Sequence, residues 1–555
     1  MDDLTPRSRI LTRWGQLRTE RSTWWSHWKE ISDYLMPRSG RYFVQDRNRG
    51  QRRHNSIYDS TGTRCNRVLA AGMMSGMTSP ARPWFRLGTN DPDLMKYQPV
   101  KIWLNDMTML MHEIYQKSNT YRALHSMYEE LGAFGTAASI ILPDYDNVIH
   151  HYPLTIGEYA IATNWKGEVT TLYREFQKTV AELVKEFGIK NVTPTVKNLY
   201  DRGSLDQWVT IIHAIEPRSD RDPTKSDNLN MAWKSIYFEV GSDNDKYLSE
   251  SGFKRFPAVA PRWAVTGGDI YGNSPGMEAL GDIKQLQHEQ LRKAQGIDFK
   301  TNPPLQVPNS LKNRDVERLP GGVTYVDQNG PSMGIRTAFD VNIDLQHLLI
   351  DIQDVRQRIQ SSFYADLFLM LANQQDSRMT ATEVAERHEE KLLMLGPVLE
   401  RLQNELLNPL IDITFDHVME AKIGPPPPDE LQGQEINIEL ISMLAQAQKA
   451  IGTNSIDRFV GSVGAVAQFK PEVLDKIDTD KYVDIYADSL GIDPELILGD
   501  EQVQSIRDSR AQAQAQAQKA ANLEQSANVA QKLGSIDTSQ PNALTDVTSQ
   551  FSGYS

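Results

Sequence analysis

Between Ser274 and Leu369 the chain spells two long helical patterns separated by a stretch too rich in proline and glycine to be helical. Ser274-Pro275 marks a helix start, because proline in the first turn gives up a donor that has no intrahelical partner there. The pattern runs through Leu280, Ile283, Leu291, Ala294 and Ile297 and stops before Asn302-Pro303-Pro304. Pro308, Pro320-Gly321-Gly322, Asn329-Gly330-Pro331 and a short β run at Val323–Val326 follow. In the second pattern Leu345, Leu348, Ile352, Val355, Ile359 and Phe363 share an arc of roughly 80°. Asp344, His347, Asp351, Asp354 and Arg358 fill a neighbouring arc. The expected unit is a helical hairpin, 274–301 and 341–369, with a knob at 302–340. Two helices alone leave the apolar stripe uncovered, so Leu348, Ile352, Val355 and Ile359 are expected to meet a neighbouring subunit.

The flanking regions have different textures. Trp14, Leu17, Trp24, Trp28, Ile31 and Leu35 recur at helical steps, and Pro37-Arg38-Ser39-Gly40 ends the pattern. Four tryptophans in the first 28 residues suit a helix docked by aromatic anchors better than a base-stacking surface. Arg38, Arg41, Arg47, Arg49, Arg52 and Arg53 form a basic segment that suits nucleic acid, an acidic neighbour or plain solvent. From Ser139 to Thr266 strands dominate, with a hairpin signal at Asn164-Trp165-Lys166-Gly167 and a short helix, Val180–Phe187, ended by Gly188.

After the hairpin, Leu371-Ala372-Asn373-Gln374-Gln375-Asp376-Ser377-Arg378 is a polar break. Thr380 and Glu383 then make a capping box for a helix reaching 423, bent by Pro397 and Pro409. The Pro425–Pro428 run stops it, and Glu435–Leu440 alternates like a short strand. The remainder reads as helices, including the Ala-Gln repeat Ala511–Gln518, with a loosely ordered tail after Asn528.

At 555 residues the chain needs three or four folding units, and 39% hydrophobic content is enough to give them cores. The fold class expected is mixed α+β, mainly helical. No apolar run reaches the ~20 residues of a membrane helix, so no membrane contact is expected, and the start lacks the features of a secretory signal. Cys65 is the single cysteine, which excludes a disulfide or cysteine zinc site within one chain. The net charge of −13 argues against a tight DNA clamp, which gains affinity by neutralising phosphates, though not against a channel through which DNA slides.

Catalytic patterns fail one by one. No Gly-Lys pair exists to end a phosphate loop. His388-Glu389-Glu390-Lys391 is followed by Leu392, not by the second histidine a zinc helix needs. His150 and His151 are adjacent on a strand and point to opposite faces. Ser75 has Met73 and Met77 where a nucleophile elbow has glycines. Asp344, Asp351 and Asp354 are the densest carboxylates, and their stripe suits a wet helix face. No catalytic residue, metal or cofactor is expected.

Several segments taken together resemble the podovirus portal, or head-to-tail connector, family. They are Leu69–Phe85 (Leu-Ala-Ala-Gly-Met-Met-Ser-Gly-Met-Thr-Ser-Pro-Ala-Arg-Pro-Trp-Phe), Pro261-Arg262-Trp263, Tyr271–Gly276 and Ala279–Lys284. Met379–Val384, Ile438–Gln448 and Asp484–Leu498 continue the series in order. The resemblance implies a ring, usually of twelve copies, at one capsid vertex. It implies a wing at 1–273, stem helices at 274–301 and 341–369, a clip at 302–340 and a tunnel loop at 370–379. A long kinked wing helix at 380–423, a linker and strand at 424–442, a crown at 443–510 and a C-terminal helix, barrel or tail at 511–555 would follow. Asn373, Gln374, Gln375, Ser377 and Arg378 would face double-stranded DNA in the channel. The implied partners are terminase, scaffolding and major capsid proteins, and tail adaptors, in a virion assembled in a bacterial cytoplasm. A packaging nuclease and a tail adaptor are the alternatives; length and the hairpin layout disfavour the second.

Overall fold

The computed structural model describes residues 5–46, 56–91, 94–222, 224–225, 227–241, 246–306, 336–337, 344–372, 394–431, 433–434, 436–441, 462–465, 469–470, 478–483 and 500–534. The architecture is mixed α+β and mainly helical. In chain order come α1 (Pro6–Tyr34), α2 (Thr61–Met77), β1 (Phe85–Thr89), α3 (Gln98–Lys117), α4 (Thr120–Phe134), β2 (Ala138–Asp144) and β3 (Val148–Leu154). Next are β4 (Tyr159–Thr163), β5 (Val169–Thr179), α5 (Val180–Phe187), α6 (Pro194–Asp201), β6 (Trp208–Pro217), β7 (Trp233–Glu239), β8 (Ser249–Phe253) and β9 (Ala258–Val259).

Strands β4 to β8 form one antiparallel sheet in chain order. Side chains alternate across a strand, so adjacent residues serve different cores. On β6, Ile212 and Ala214 face α1, where Ile10, Trp14 and Leu17 cover them. Ile211 faces the other way, onto Val180, Leu183 and Val196 of the α5–α6 excursion. Trp14 and Trp28 are buried, which fits docking anchors rather than a stacking surface. Arg21 lies between them, donating to the carbonyls of Gly157 (3.0 Å) and Tyr159 while its guanidinium covers the Trp25 ring.

Small residues in α2 set how closely the central helices pack. A Cβ on Gly72 would lie 2.2 Å from Phe368, and one on Gly132 of α4 would lie 2.3 Å from Asn66 and 2.9 Å from Leu69. Where α4 ends, Gly135 adopts φ +74, and a Cβ there would lie 2.3 Å from the Gly272 carbonyl. That close approach seats Tyr271, whose ring meets Trp28 edge-on at 5.0 Å and whose hydroxyl accepts from the Ile161 amide at 3.3 Å.

Helix α7 (Pro275–Glu278) opens with the Ser274 hydroxyl accepting from the Met277 amide at 3.0 Å. α8 (Leu280–Thr301) follows, then the short pair β10 (Leu305–Gln306) and β11 (Arg336–Thr337), and then α9 (Leu345–Ser362) and α10 (Ala365–Ala372). The second hairpin pattern is therefore not one helix to Leu369; it breaks at Phe363-Tyr364. Helix α11 (394–402) runs through a π turn, Gln403–Leu407, into α12 (Asn408–Ala421). Pro409 lacks the amide that would continue the ladder, and the Asn408 amide instead reaches five residues back to Gln403. β12 (Ile436–Leu440) pairs antiparallel with β1, Phe85 opposite Leu440. A last helix, Asp500–Gly534, extends past Asn528 into residues expected to be loosely ordered. No helix among the described residues is long and apolar enough to cross a membrane.

A braced helical hairpin as the candidate functional site

The expected subunit-interface stripe is buried inside one chain. Ile352, Val355 and Ile359 are at most 1% exposed, packed in the central core with α8 and α2, and Leu348 is half-buried against the same core. The expectation that a neighbour must cover them is corrected: α2 supplies the third layer that two helices lack. The exposed apolar residues of the two helices lie at the far end of the hairpin. Ile297 and Phe299 on α8, and Leu349 and Ile350 on α9, are exposed, Ile350 by 64%. From His288 onward, only Gly296 of α8 is buried.

A clasp around Asp59 fixes the near end. Its Oδ2 accepts from Arg356 of α9 (2.6 and 3.1 Å) and from Gln290 of α8 (2.9 Å), and its Oδ1 accepts from the Thr61 amide and hydroxyl (2.9 and 2.5 Å). Gln287 completes it, accepting from the Tyr58 and Asp59 amides and donating to the Asp59 carbonyl. Burial raises the Asp59 pKa, but the Thr61 hydroxyl and Arg356 outweigh it and hold the carboxyl below its ordinary range. Closer still to the near end, Arg358 pairs with Asp282 of α8 (3.2 Å) and with Asp354 (3.3 Å). Asp344 caps α9, accepting from the Gln346 and His347 amides. Asp344, His347, Asp351 and Asp354 are exposed, as a wet face requires.

The Pro261-Arg262-Trp263 motif does its work on the kinked helix. Arg262 is buried, and Glu405 in the π turn accepts from its amide (2.9 Å), Nε (3.2 Å) and Nη2 (2.6 Å). The same guanidinium donates to the carbonyls of Gly167 (2.6 Å) and Ile270 (3.2 Å). One side chain thus ties the turn carrying Trp165 to the bend at Pro409. On the other side of the body, Arg41 of the basic segment pairs with Glu158 at 3.4 Å. Arg47, Arg49, Arg52 and Arg53 lie outside the described residues.

Among the described residues, buried titratable groups sit in the packing. Burial drives His112 down to about 4 and His151 to about 3, and His213 well below its ordinary value. His151 is buried while His150 on the same strand is half-exposed, the opposite-face arrangement expected of neighbours. Among the described residues no group of three or more histidine, cysteine or acidic side chains is placed to hold a metal. Glu130 is enclosed on α4, accepting from the Thr155 hydroxyl (2.7 Å) and the Ile156 amide (3.2 Å). Burial pushes its carboxyl up from 4.5 to about 7. Folding therefore takes up a proton between those values, and stability falls as pH rises through that window. Glu130→Gln should remove most of that slope, about 3 kcal/mol between pH 5 and 8. Unfolding midpoints measured across this range check it, and an unchanged slope would place the proton elsewhere.

Asn373, Gln374, Gln375, Ser377 and Arg378, expected to face a channel, lie outside the described residues, as do Thr380 and Glu383. The chain enters this segment from α10, whose Leu367 and Phe368 are buried against α2. Asp59, Gln287 and Glu405 were not singled out from the sequence. The only local signal was the Asp59-Ser60-Thr61 run, which looks like a helix cap and nothing more.

Residues 7–498 match the family described as Bacteriophage head to tail connecting protein. The chain is 67% identical over 554 residues to the "Probable portal protein" of Bordetella phage BPP-1, covering 100% of both. It is 48% identical over 544 residues to the "Portal protein" of Salmonella phage epsilon15, covering 98% of both. Among solved structures, a chain from the virion of a native gene transfer agent particle has 11% identity and a TM-score of 0.32, covering 72% of this chain and 95% of that one. A chain from the neck of an empty gene transfer agent particle has 10% identity and a TM-score of 0.36, covering 77% and 92%. Both structural likenesses are slight, and the assignment rests on the sequence matches. By its match from end to end of the body, this chain belongs to the bacteriophage head to tail connecting protein family.

Proposed function

We propose that the chain is the portal subunit of a phage particle, a structural protein that assembles into a ring at one capsid vertex and passes DNA without catalysing a reaction. The full-length identity to two portal proteins carries this reading. In the ring, the α8–α9 hairpin is the stem, the chain between its helices the clip, and the sheet with α1 to α6 the wing. The kinked helix α11–α12 belongs to the wing, and the C-terminal helices form the crown and beyond. Twelve copies, terminase during packaging, scaffolding and major capsid proteins, and later tail adaptors complete the proposal. Assembly takes place in the bacterial cytoplasm.

The subunit contact moves, in this reading, from the buried stripe to the open end of the hairpin. Ile297, Phe299, Leu349 and Ile350 are the apolar anchors, flanked by the exposed Asp351 and Asp354. Asn373, Gln374, Gln375, Ser377 and Arg378 meet the phosphates of passing DNA, a contact blind to sequence because phosphates carry no base information. Electron microscopy of the purified chain should show a brimmed ring with a central hole. A uniform small monomer under assembly conditions would reject the portal reading. Replacing Asn373 through Ser377 with a Gly-Ser linker should leave rings intact and lower the yield of full, DNA-retaining heads. Normal yields from that variant would remove these residues from the channel.

A further inference from the structure

By its sequence the second hairpin helix has no reason to stop where it does. Residues 341–372 contain neither glycine nor proline, and the apolar spacing from Leu345 to Phe363 continues to Leu367. Yet α9 ends at Ser362 and α10 starts afresh at Ala365. One residue makes the break. Tyr364 has φ +52, the left-handed region that crowds any side chain with a Cβ and that helix ends usually give to glycine. Across the joint the Phe363 amide donates to Ile359 at 3.2 Å, the Tyr364 amide to Ser361 at 3.0 Å and the Phe368 amide to Tyr364 at 3.2 Å. The left-handed dihedral is unfavourable in itself.

What opposes it lies on α10. Ala365, Leu367 and Phe368 are buried. Phe368 sits on Gly72 so closely that a Cβ there would be 2.2 Å from its ring, and the Tyr364 ring leans on Trp263 with centroids 6.3 Å apart. Local strain at residue 364 favours a straight helix, and burial of Leu367 and Phe368 on α2 favours the bend. Two preferences of opposite sign meet at a single backbone position.

We propose that the α9–α10 joint is a two-position hinge. In the bent position Tyr364 is left-handed and α10 is docked on α2. In the straight position Tyr364 takes the right-handed helical conformation and α9 continues unbroken to Ala372. Straightening lifts Phe368 off Gly72, uncovers the small-residue face of α2 and turns the chain leaving Ala372 onto the α9 axis. The joint is internal to one chain, so the inference stands or falls separately from the ring and channel readings.

Spin labels at Gln353→Cys and Leu369→Cys, both exposed sites, report the joint directly. Cys65 is buried, and burial raises its thiol to about 11, so it stays unlabelled. In a continuous helix the two positions are about 24 Å apart, and bending brings them closer. Pulsed dipolar measurements on full-length chains, diluted with unlabelled copies, should show the short separation as the major population. Tyr364→Gly, which removes the strain, should show the short separation alone. Tyr364→Val, which adds a β-branch at a left-handed position, should raise the long population at least fivefold, and Phe368→Ala at least tenfold. One short separation, unchanged across the Gly, Tyr and Val series, overturns the hinge, and this series decides even if Phe368→Ala does not fold.

Discussion

Arg262→Met should cost the chain about 3–5 kcal/mol, among the largest effects expected from any single substitution. Among the described residues Glu405 would keep Arg401 (3.2 Å) alone as an ion-pair partner, and the carbonyls of Gly167 and Ile270 would lose the Arg262 donor. An enclosed carboxylate without its partner is the expensive outcome, not the absence of the pair. Replacing both, as in Arg262→Met with Glu405→Leu, should therefore recover a substantial part of the loss in unfolding experiments. A double variant as unstable as the single one would show that the backbone contacts, not the charges, carry the site. The neighbouring Arg255 pairs with Asp412 (3.0 Å) and Asp416 (2.6 Å) offer a control, since Arg255 is exposed and both carboxylates are only half-buried. Removing Arg255 should cost less than ~1 kcal/mol and should matter less as salt is raised.

A pair of substitutions two residues apart should give opposite phenotypes. Ile352→Asp places a carboxylate in the apolar core between α8, α9 and α2, and the subunit should fail to fold or aggregate. Ile350→Asp changes a residue that is 64% exposed, so the subunit should fold with an unfolding midpoint close to that of the parent chain. On the proposed contact surface it should instead leave monomers or partial rings in light scattering. Complete rings from Ile350→Asp would move the contact away from this end of the hairpin. A well-folded monomer from Ile352→Asp would contradict the burial described here.

The sequence made the hairpin legible because periodicity records which face of a helix is apolar. It could not say what covers that face. The stripe at Ile352, Val355 and Ile359 was assigned to a neighbouring subunit, whereas α2, nearly 300 residues earlier, already lies on it. The small residues of Leu69–Phe85 were visible as a signature, but the reason for Gly72, the seat for Phe368, depends on a contact that no local pattern encodes. The break at Tyr364 was missed for a different cause. It goes against local preference, and only burial on a distant helix makes it affordable. The kink at Pro409 was readable, since proline states its own effect, but the Glu405–Arg262 tie beside it links positions 143 residues apart.

The pairing of β1 with β12 also bears on how the chain is made. Arg86 and Glu439, bonded at 2.7 Å, are 353 residues apart. At synthesis rates of ~5–20 residues per second, β1 waits roughly 20 to 70 s for its partner to leave the ribosome. Throughout that interval the strand edge that β12 will cover is unpaired and available to other nascent chains. The body cannot close until Leu440 has emerged. A chain released early, anywhere before Ile436, would keep that edge unpaired and should be the form that chaperones retain or proteases clear.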